Sequence, residues 1–141
     1  MKILIAADGS RFTKRMLAYL AAHDESFGSK EHRFTVVTVV GAIPQRAAAA
    51  LSKKIVQDHY AEEAETTLKP IRAFFAKQGV DAQFVHRVGD AGEQIAELAR
   101  KGGFDLLMMG SHGHGALAGL VLGSVASRVL AVCDVPVLIV R

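Results

Sequence analysis

The chain has 141 residues, of which 50% are hydrophobic, and it carries a formal net charge of +3 and a single cysteine. This length and hydrophobicity fit one folded domain over residues 1–141 and argue against disorder. Apolar runs fall short of the ~20 residues of a membrane helix, and the single cysteine fits a reducing cytoplasm. The basic residues form no block with interleaved aromatic side chains, which argues against nucleic acid as a partner.

The N-terminal part of the chain reads as strand, helix, strand. The apolar run Lys2–Ala7 predicts a buried strand, and Ser10 is well placed to cap a helix over about residues 11–26. The run Arg33–Val40 is rich in β-branched residues and predicts a second strand.

A long helical stretch is predicted for the middle of the chain. It follows a loop over Gly41–Arg46 and extends over about residues 47–78, with apolar residues at roughly helical spacing. Pro70 lies inside this stretch and should kink it or split it in two, because proline lacks the N–H that a helix interior needs. Gly79 should end it.

The C-terminal part continues the alternation of strands and helices. It contains, in order, a strand over Asp81–Val88, a helix over Ala91–Arg100, a strand over Phe104–Met109, a helix over 123–133 and a strand over Pro136–Val140. Strands separated by helices imply parallel pairing through right-handed crossovers, so the predicted fold is an open α/β sheet with helices on both faces.

Two loops of this fold carry residues suited to ligand binding. Ligands of such sheets bind beyond the carboxyl ends of the strands, where the strand order reverses. The segment Ala7–Ser10 follows the first strand and the segment Gly110–Gly123 follows the fourth. If these two strands are neighbours, both loops face one crevice.

The glycine spacing of the second loop is the strongest functional signal in the chain. Gly110-Ser-His-Gly113 is followed by nine residues and then by Gly123-Ser124, at a turn from strand to helix. Such a turn can present backbone N–H groups and a helix N-terminus to a phosphate. The P-loop pattern is absent, and the dinucleotide pattern fails because position 118 is alanine. The alternative is that these glycines only make a tight turn.

Several of these residues also have a purely structural interpretation. Asp8 could simply cap the first helix or its turn, and Ser124 could be only an N-cap residue. Val39 and Met109 are expected to lie in the core whatever else they contact. The functional and structural interpretations of Ser124 use the same geometry and need not compete.

Two histidines flank a glycine of the motif. His112 and His114 stand on either side of Gly113, with no carboxylate close in sequence, which is a weak metal signal. A side chain that faces phosphate or solvent is the stronger interpretation. The sequence therefore predicts no metal site, and it identifies no catalytic residue.

Taken together, these segments resemble the universal stress protein family, in the branch that binds nucleotide. The resemblance covers essentially the whole chain and includes the Asp8–Ser10 turn, the Gly89-Asp90 turn and the segment Asp105–Gly113. It also includes Leu122–Val125 and the terminal Pro136–Val140. The spacing G-x2-G-x9-G-[ST] is the mark of the family's ATP-binding members.

The resemblance implies a sheet order of 3-2-1-4-5 and a set of residues that contact ATP or AMP, with or without Mg²⁺. The adenine and ribose would lie against the ends of the first two strands, and the phosphates against the glycine loop and the start of the last helix. Many relatives carry arginine where this chain has His114, which provides less positive charge. The implied nucleotide-binding residues are Ala6, Ala7, Asp8, Val39, Met109, Gly110, Gly113, His114, Gly123, Ser124 and Val125.

The last strand suggests self-association. In the implied order it lies at the sheet edge, and its residues are uncharged until Arg141, so it invites antiparallel pairing with a second copy. The resemblance points the same way and predicts a homodimer with Val137, Leu138 and Ile139 near its axis. A monomer whose edge is covered by its own C-terminus is the alternative.

Three functions are therefore open. The chain could be a cytoplasmic ATP- or AMP-binding stress protein with little or no turnover, a slow ATPase or nucleotidyl-transfer enzyme, or a nucleotide-free dimeric interaction protein. The motif loops offer no evident general base, nucleophile or arginine clamp, which disfavours the enzyme. The intact glycine pattern disfavours the nucleotide-free protein.

Overall fold

The computed structural model describes residues 1–28, 30–115 and 117–141. Along the chain it contains β1 (Lys2–Ala6), α1 (Arg11–Ala22), α2 (Asp24–Phe27), β2 (Arg33–Val40), α3 (Gln45–Ala49), α4 (Lys53–Gln78), β3 (Ala82–Val88), α5 (Ala91–Lys101), β4 (Leu106–Gly110), α6 (Ser124–Val132) and β5 (Val137–Val140). Over the described ranges, no helix is both long enough and apolar enough to cross a membrane.

The sheet has the predicted topology. Its five strands are all parallel and lie in the order β3-β2-β1-β4-β5, which confirms the predicted fold class. The chain moves outward from β1 to one edge and then returns to place β4 on the other side of β1. The strand order therefore reverses between β1 and β4, where Ala6 pairs with Met109.

The core consists of two layers, one on each face of the sheet. One layer packs Ile3 and Ile5 of β1 against α1 and α4, and the other packs Leu4 and Ala6 against α5 and α6. Successive β1 side chains point to opposite faces and are buried on both, as expected of a central parallel strand. Helices on both faces were predicted and are found.

The first predicted helix is interrupted. The stretch 11–26 was expected to be continuous, but α1 ends at Ala22 and the short α2 begins at Asp24. His23 leaves helical geometry at φ −116° and ψ 40°, and its Nδ1 lies 2.9 Å from the carbonyl oxygen of Tyr19. The Tyr19 carbonyl oxygen also accepts the backbone N–H of His23 at 3.1 Å, so the His23 ring adds a second contact where the chain turns.

The middle of the chain departs more from prediction. The expected loop over Gly41–Arg46 already becomes the short helix α3 at Gln45, and the long helix begins only at Lys53. Ser52 causes this break, because its Oγ accepts a hydrogen bond from the N–H of Ile55 and caps α4. The prediction of one helix starting at about Ala47 was therefore wrong: a short helix comes first, and Ser52 starts the long one.

Pro70 does not split α4, which was one of the two outcomes predicted for it. The helix continues through it to Gln78, and Pro70 itself is exposed. Leu68 and Ile71, on either side of Pro70, are buried against the sheet and keep the helix in place. The helix ends as predicted at Gly79, which adopts the left-handed conformation at φ 67°.

Candidate functional site

A cavity of about 410 Å³ opens at the carboxyl ends of β1 and β4, where the strand order reverses. Most of its wall is apolar side chain and glycine backbone. The residues that line it are Ala6, Ala7, Asp8, Thr13, Val39, Ala91, Ile95, Met109, Gly110, His112, Gly113, His114, Gly115, Leu117, Leu120, Gly123, Ser124, Val125 and Ala126.

Every residue that the sequence predicted to bind nucleotide lies on this wall. The two loops that sequence reasoning placed at one crevice do meet there, because β1 and β4 are paired. Which atoms of a ligand each residue contacts stays a prediction. The wall also contains residues outside the predicted set, among which Thr13 and His112 make the most specific contacts.

The turn after β1 holds Asp8 in a fixed position. Asp8 Oδ1 accepts hydrogen bonds from the backbone N–H of Ser10 at 2.9 Å and from Thr13 Oγ1 at 3.0 Å. The N–H of Asp8 donates in return to Thr13 Oγ1 at 3.1 Å. Gly9 allows this tight turn because its φ of 77° lies in the left-handed region. The carboxylate is therefore oriented before any ligand arrives.

Ser10 occupies the predicted N-cap position of α1 but does not cap it with its side chain. Its Oγ is buried and has no hydrogen-bond partner among the described residues. Thr13 anchors the first turn of α1 to Asp8 instead. The sequence offered one sign of this contact, a threonine in the first turn of the predicted helix.

The motif glycines are required by close contact rather than by unusual backbone angles. A Cβ added at Gly110 would lie 2.6 Å from the Cβ of Phe12, and one at Gly113 would lie 2.7 Å from Asp8 Oδ2. A Cβ at Gly123 would lie 3.1 Å from the Cα of His112. None of the three has a positive φ. The glycine loop and the turn after β1 thus lie so close together that the gap between them has no room for an added methyl group.

Helix α6 begins at the cavity. Gly123 is its N-cap residue, and the N–H of Gly123 donates to the carbonyl oxygen of Ser111 at 2.7 Å. The N–H groups of the residues that follow have no acceptor within the helix, as at any helix start. Since Ser124, Val125 and Ala126 line the cavity, this end of α6 offers donors and a partial positive charge to an anion.

The two histidines brace the glycine loop. His112 Nε2 lies 2.9 Å from the carbonyl oxygen of Leu120, and its Nδ1 lies 2.9 Å from Ser111 Oγ. His114 Nε2 lies 2.8 Å from the carbonyl oxygen of Asp8 and so connects this loop to the turn after β1. The described residues contain no group of three or more His, Cys, Asp or Glu side chains that could hold a metal ion.

Strongly paired charges lie away from the cavity. On α4, the hydrogen bond from Arg72 lowers the pKa of Glu65, and on α5 the hydrogen bond from Lys101 lowers the pKa of Glu97. Both pairs are exposed and are therefore expected to add little to stability. At the cavity, local fields come from helix α6 and from the few ionisable side chains of the wall.

Known proteins resemble this chain along its whole length. Universal stress protein MJ0531 of Methanocaldococcus jannaschii is 29% identical over 140 residues, which cover 99% of this chain and 81% of the relative. Universal stress protein YxiE of Bacillus subtilis is 28% identical over 153 residues, covering 99% and 98%. The solved structure of MJ0577, from the same archaeon as MJ0531, superposes with a TM-score of 0.82 at 26% identity and covers 99% of this chain and 94% of that one.

More distant solved proteins share the fold and hold adenine nucleotides. A universal stress family protein of Arabidopsis thaliana contains AMP, another universal stress protein contains cAMP, and one from Archaeoglobus fulgidus contains dAMP. They are 14%, 22% and 20% identical, with TM-scores of 0.70, 0.65 and 0.66. The alignments cover 99–100% of this chain and 90–98% of theirs.

The sequence also matches the conserved pattern of one protein family from its first residue to its last. This match covers residues 1–141, the same span as the single sheet and its helices. The chain belongs to the universal stress protein family.

Proposed function

We propose that this protein binds an adenine nucleotide, ATP or AMP, in the cavity between β1 and β4. One observation carries the proposal: the glycine loop, the start of α6 and the turn after β1 converge on one cavity at the reversal of strand order. The nucleotides held by structural neighbours of the same fold support this choice of ligand.

Each part of the wall suits one part of the nucleotide. Val39 offers an apolar side chain and the Ala6-Ala7 segment offers its backbone to adenine, and Asp8 would accept hydrogen bonds from ribose hydroxyls. Met109, Gly110, Gly113 and His114 continue toward the phosphates. Beyond Gly123, whose N–H is already bonded to Ser111, the N–H groups of Ser124 and Val125 lie at the start of α6, where an anion is favoured.

Slow or absent turnover is the expected chemical behaviour. Asp8 is the one carboxylate among the described wall residues, and its Oδ1 is already engaged by Ser10 and Thr13. Phosphoryl transfer needs a group that positions the nucleophile and cations that stabilise the developing charge. Mg²⁺ would bind mainly through the phosphates of ATP, with Asp8 as the available protein carboxylate.

The names of the relatives support a role in stress responses. We therefore infer that the protein signals or protects under stress by changing its nucleotide occupancy. A cytoplasmic location agrees with a single, unpaired cysteine.

Ligand-induced stabilisation tests nucleotide binding directly. A ligand at about 100 times its Kd stabilises the folded state by roughly 2.7 kcal/mol, which for a domain of this size raises Tm by about 5–10 °C. We expect this shift with AMP or with ATP and Mg²⁺, and the same nucleotide should copurify with the protein. A Tm that does not move at millimolar nucleotide contradicts the proposal, and multiple turnovers per minute of ATP would favour the enzyme instead.

We also propose a homodimer formed through β5. This strand pairs with β4 on one side only, and the side chains of Val137–Val140 are uncharged. The N–H groups of Leu107 and Ser111 donate to the carbonyl oxygens of Pro136 and Val140. Because backbone groups of a strand alternate in direction, the N–H and C=O of Val137 and Ile139 face the open edge.

The direction of these backbone groups gives a matched test of the dimer. Ile139→Pro removes an N–H that faces outward and should give monomers by light scattering, with little loss of Tm. Leu138→Pro removes an N–H that pairs with β4 and should unfold the strand. The proposal fails if the unmodified chain is monomeric at micromolar concentration.

A further inference from the structure

The first turns of α1 carry positive charge that no carboxylate of the described residues neutralises. Arg11, Lys14 and Arg15 are all exposed, and α1 contains no aspartate or glutamate. The ion pairs of the described chain lie within α4, within α5 and between α5 and α6. Asp8, the nearest acidic residue in sequence, lines the cavity, whose wall does not include these three cations. Because cations at a helix start oppose the helix dipole, an acidic partner would relieve an unfavourable arrangement.

Two of these cations are held in place by an aromatic ring. The guanidinium carbons of Arg11 and Arg15 lie 4.9 and 5.5 Å from the ring centroid of Phe12, a residue that is only 5% exposed. Such stacking restrains a guanidinium group and leaves its N–H donors available. Since a carboxylate can accept two parallel N–H bonds from one guanidinium group, this oriented pair can bind acidic side chains at a reduced entropic cost.

The Phe12 ring also connects the arginines to the glycine loop. It lies 5.1 Å from the ring of His112, whose Nε2 lies 2.9 Å from the carbonyl oxygen of Leu120. Near this point Leu117, Leu120 and Val121 are 69%, 53% and 68% exposed. Large apolar side chains that are exposed so close together indicate an interaction surface.

The arginines, the lysine and the three apolar residues form one surface, which we call the α1–loop surface. Between Gly110 and Gly123 the loop contains no aspartate, glutamate, lysine or arginine. The surface therefore combines three cations with apolar side chains and contains no carboxylate. Its members are Arg11, Lys14, Arg15, Leu117, Leu120 and Val121.

The charge of the α1–loop surface distinguishes between the partners that could cover it. A second copy docked by two-fold symmetry would place the three cations of one copy against those of the other. A nucleic acid would lack an aromatic platform for its bases, because Phe12 is buried. Anionic membranes are recognised by clusters of about four to eight basic residues, more than this surface offers. An acidic protein segment satisfies both the cations and the apolar side chains.

We propose that the α1–loop surface docks an acidic segment of a partner protein, one that carries carboxylates and apolar side chains together. The carboxylates would pair with Arg11 and Arg15, and the apolar side chains would cover the exposed part of the loop. Leu117 and Leu120 also line the cavity, so the partner would contact the edge of the nucleotide site. This docking does not depend on which ligand the cavity holds.

Selection from a library of random peptides tests the proposal. Displayed peptides of about 14 residues, or four helical turns, are selected on the immobilised full chain and counter-selected on Arg11→Glu/Arg15→Glu. Glutamate near a helix start is favoured by the dipole, so this variant should fold with an undiminished Tm. We expect the selected peptides to be enriched in acidic and aliphatic residues. By calorimetry, such a peptide should lose at least about tenfold in affinity with Arg11→Glu/Arg15→Glu.

Two further variants locate the peptide on the protein. Val121→Ser removes an apolar side chain that lies outside the cavity wall, and it should lower the affinity by about three- to tenfold. Arg33→Glu/Arg87→Glu is the matched control, since it reverses two exposed cations at the amino end of β2 and on the edge strand β3. At about 150 mM salt, where distant charges are screened, this control should leave the affinity unchanged.

The proposal is overturned if the selection yields no enrichment in acidic residues, or if the peptide binds Arg11→Glu/Arg15→Glu as tightly as the unmodified protein. A changed oligomeric state of that variant in light scattering would also overturn it, because the surface would then be a contact between copies. Sedimentation with vesicles of phosphatidylserine and phosphatidylcholine is the last arm. Cosedimentation that requires both arginines, with no acidic peptide selected, would assign the surface to a membrane instead.

Discussion

The two sides of the cavity are built in opposite ways. The turn after β1 is fixed by hydrogen bonds among Asp8, Ser10 and Thr13, and it follows the central strand of the sheet. The glycine loop is held at its ends, where the N–H of Ser111 donates to Val140 and the N–H of Gly123 donates to Ser111, and the rings of two histidines brace it between them. Between these ends it exposes Leu117 and Val121, at 69% and 68%.

This difference suggests that the two sides would recognise a ligand in two ways, one through a fixed side chain and one through backbone groups. A pre-oriented carboxylate binds a ligand without a further ordering cost, so the side near Asp8 is suited to discriminate ligands. The glycine loop contributes backbone groups, whose position depends on how closely it can approach the neighbouring turn. We therefore expect changes in the loop to abolish binding through shape, and changes in the turn to weaken it through lost hydrogen bonds.

The largest effect is expected for Gly123→Val. The new Cβ would lie 3.1 Å from the Cα of His112 and 3.3 Å from the carbonyl oxygen of Ser111, and neither backbone atom can move alone. Binding should become undetectable by calorimetry, and overpacking should destabilise the protein by about 1–3 kcal/mol in denaturant unfolding. Unchanged affinity would show that α6 does not receive the phosphates.

Gly113→Val should abolish binding at a smaller cost in stability. Its Cβ would lie 2.7 Å from Asp8 Oδ2, which is the end of a side chain that can rotate away. Because rotation would break the alignment of Asp8, affinity should fall at least about 100-fold while Tm changes by only a few degrees. Gly41→Val is the matched control, since a Cβ there meets nothing within 4 Å.

Asp8→Ala should weaken binding by about 10–100-fold, since hydrogen bonds to a charged group contribute about 1.5–3 kcal/mol. Asp8→Asn keeps an oxygen that can accept from Ser10 and Thr13 and should preserve the turn. The difference between Asp8→Asn and the unmodified protein therefore isolates the charge. Equal affinity of Asp8→Ala and the unmodified protein would remove Asp8 from the ligand site.

Much of this architecture could be predicted from the sequence because its signals are local and repeated. Predicted strands that alternate with predicted helices imply a parallel sheet. The glycine spacing from Gly110 to Ser124 identifies the binding loop at the carboxyl ends of its strands. The strand order came from family resemblance, since pairing of β1 with β4 is a contact between distant segments that periodicity cannot encode.

The errors have physical causes that a linear pattern hides. Ser52 interrupts an otherwise helical run because its hydroxyl caps α4, whereas Pro70 is tolerated because buried neighbours hold the helix on the sheet. For the motif glycines, the structure adds a constraint that their spacing could not show. They contact Phe12, Asp8 and His112, which only the folded chain brings near.

The smallest effect is expected for Thr13→Val, which tests whether the turn after β1 is rigid before the ligand binds. Thr13 is buried at 3% exposure, and its Oγ1 both accepts from and donates to Asp8. Valine keeps the shape but removes both bonds, so stability should fall by about 1–2 kcal/mol and nucleotide affinity by about three- to tenfold.

A double-mutant cycle with Asp8→Ala distinguishes orientation from direct contact with the ligand. If Thr13 acts only by holding Asp8, Thr13→Val should cost no further affinity in the Asp8→Ala background, and calorimetry would give a coupling free energy equal to the single-variant loss. Additive losses would mean that Thr13 contacts the nucleotide itself. In that case the hydroxyl belongs to the binding surface, and the turn after β1 recognises its ligand with two side chains rather than one.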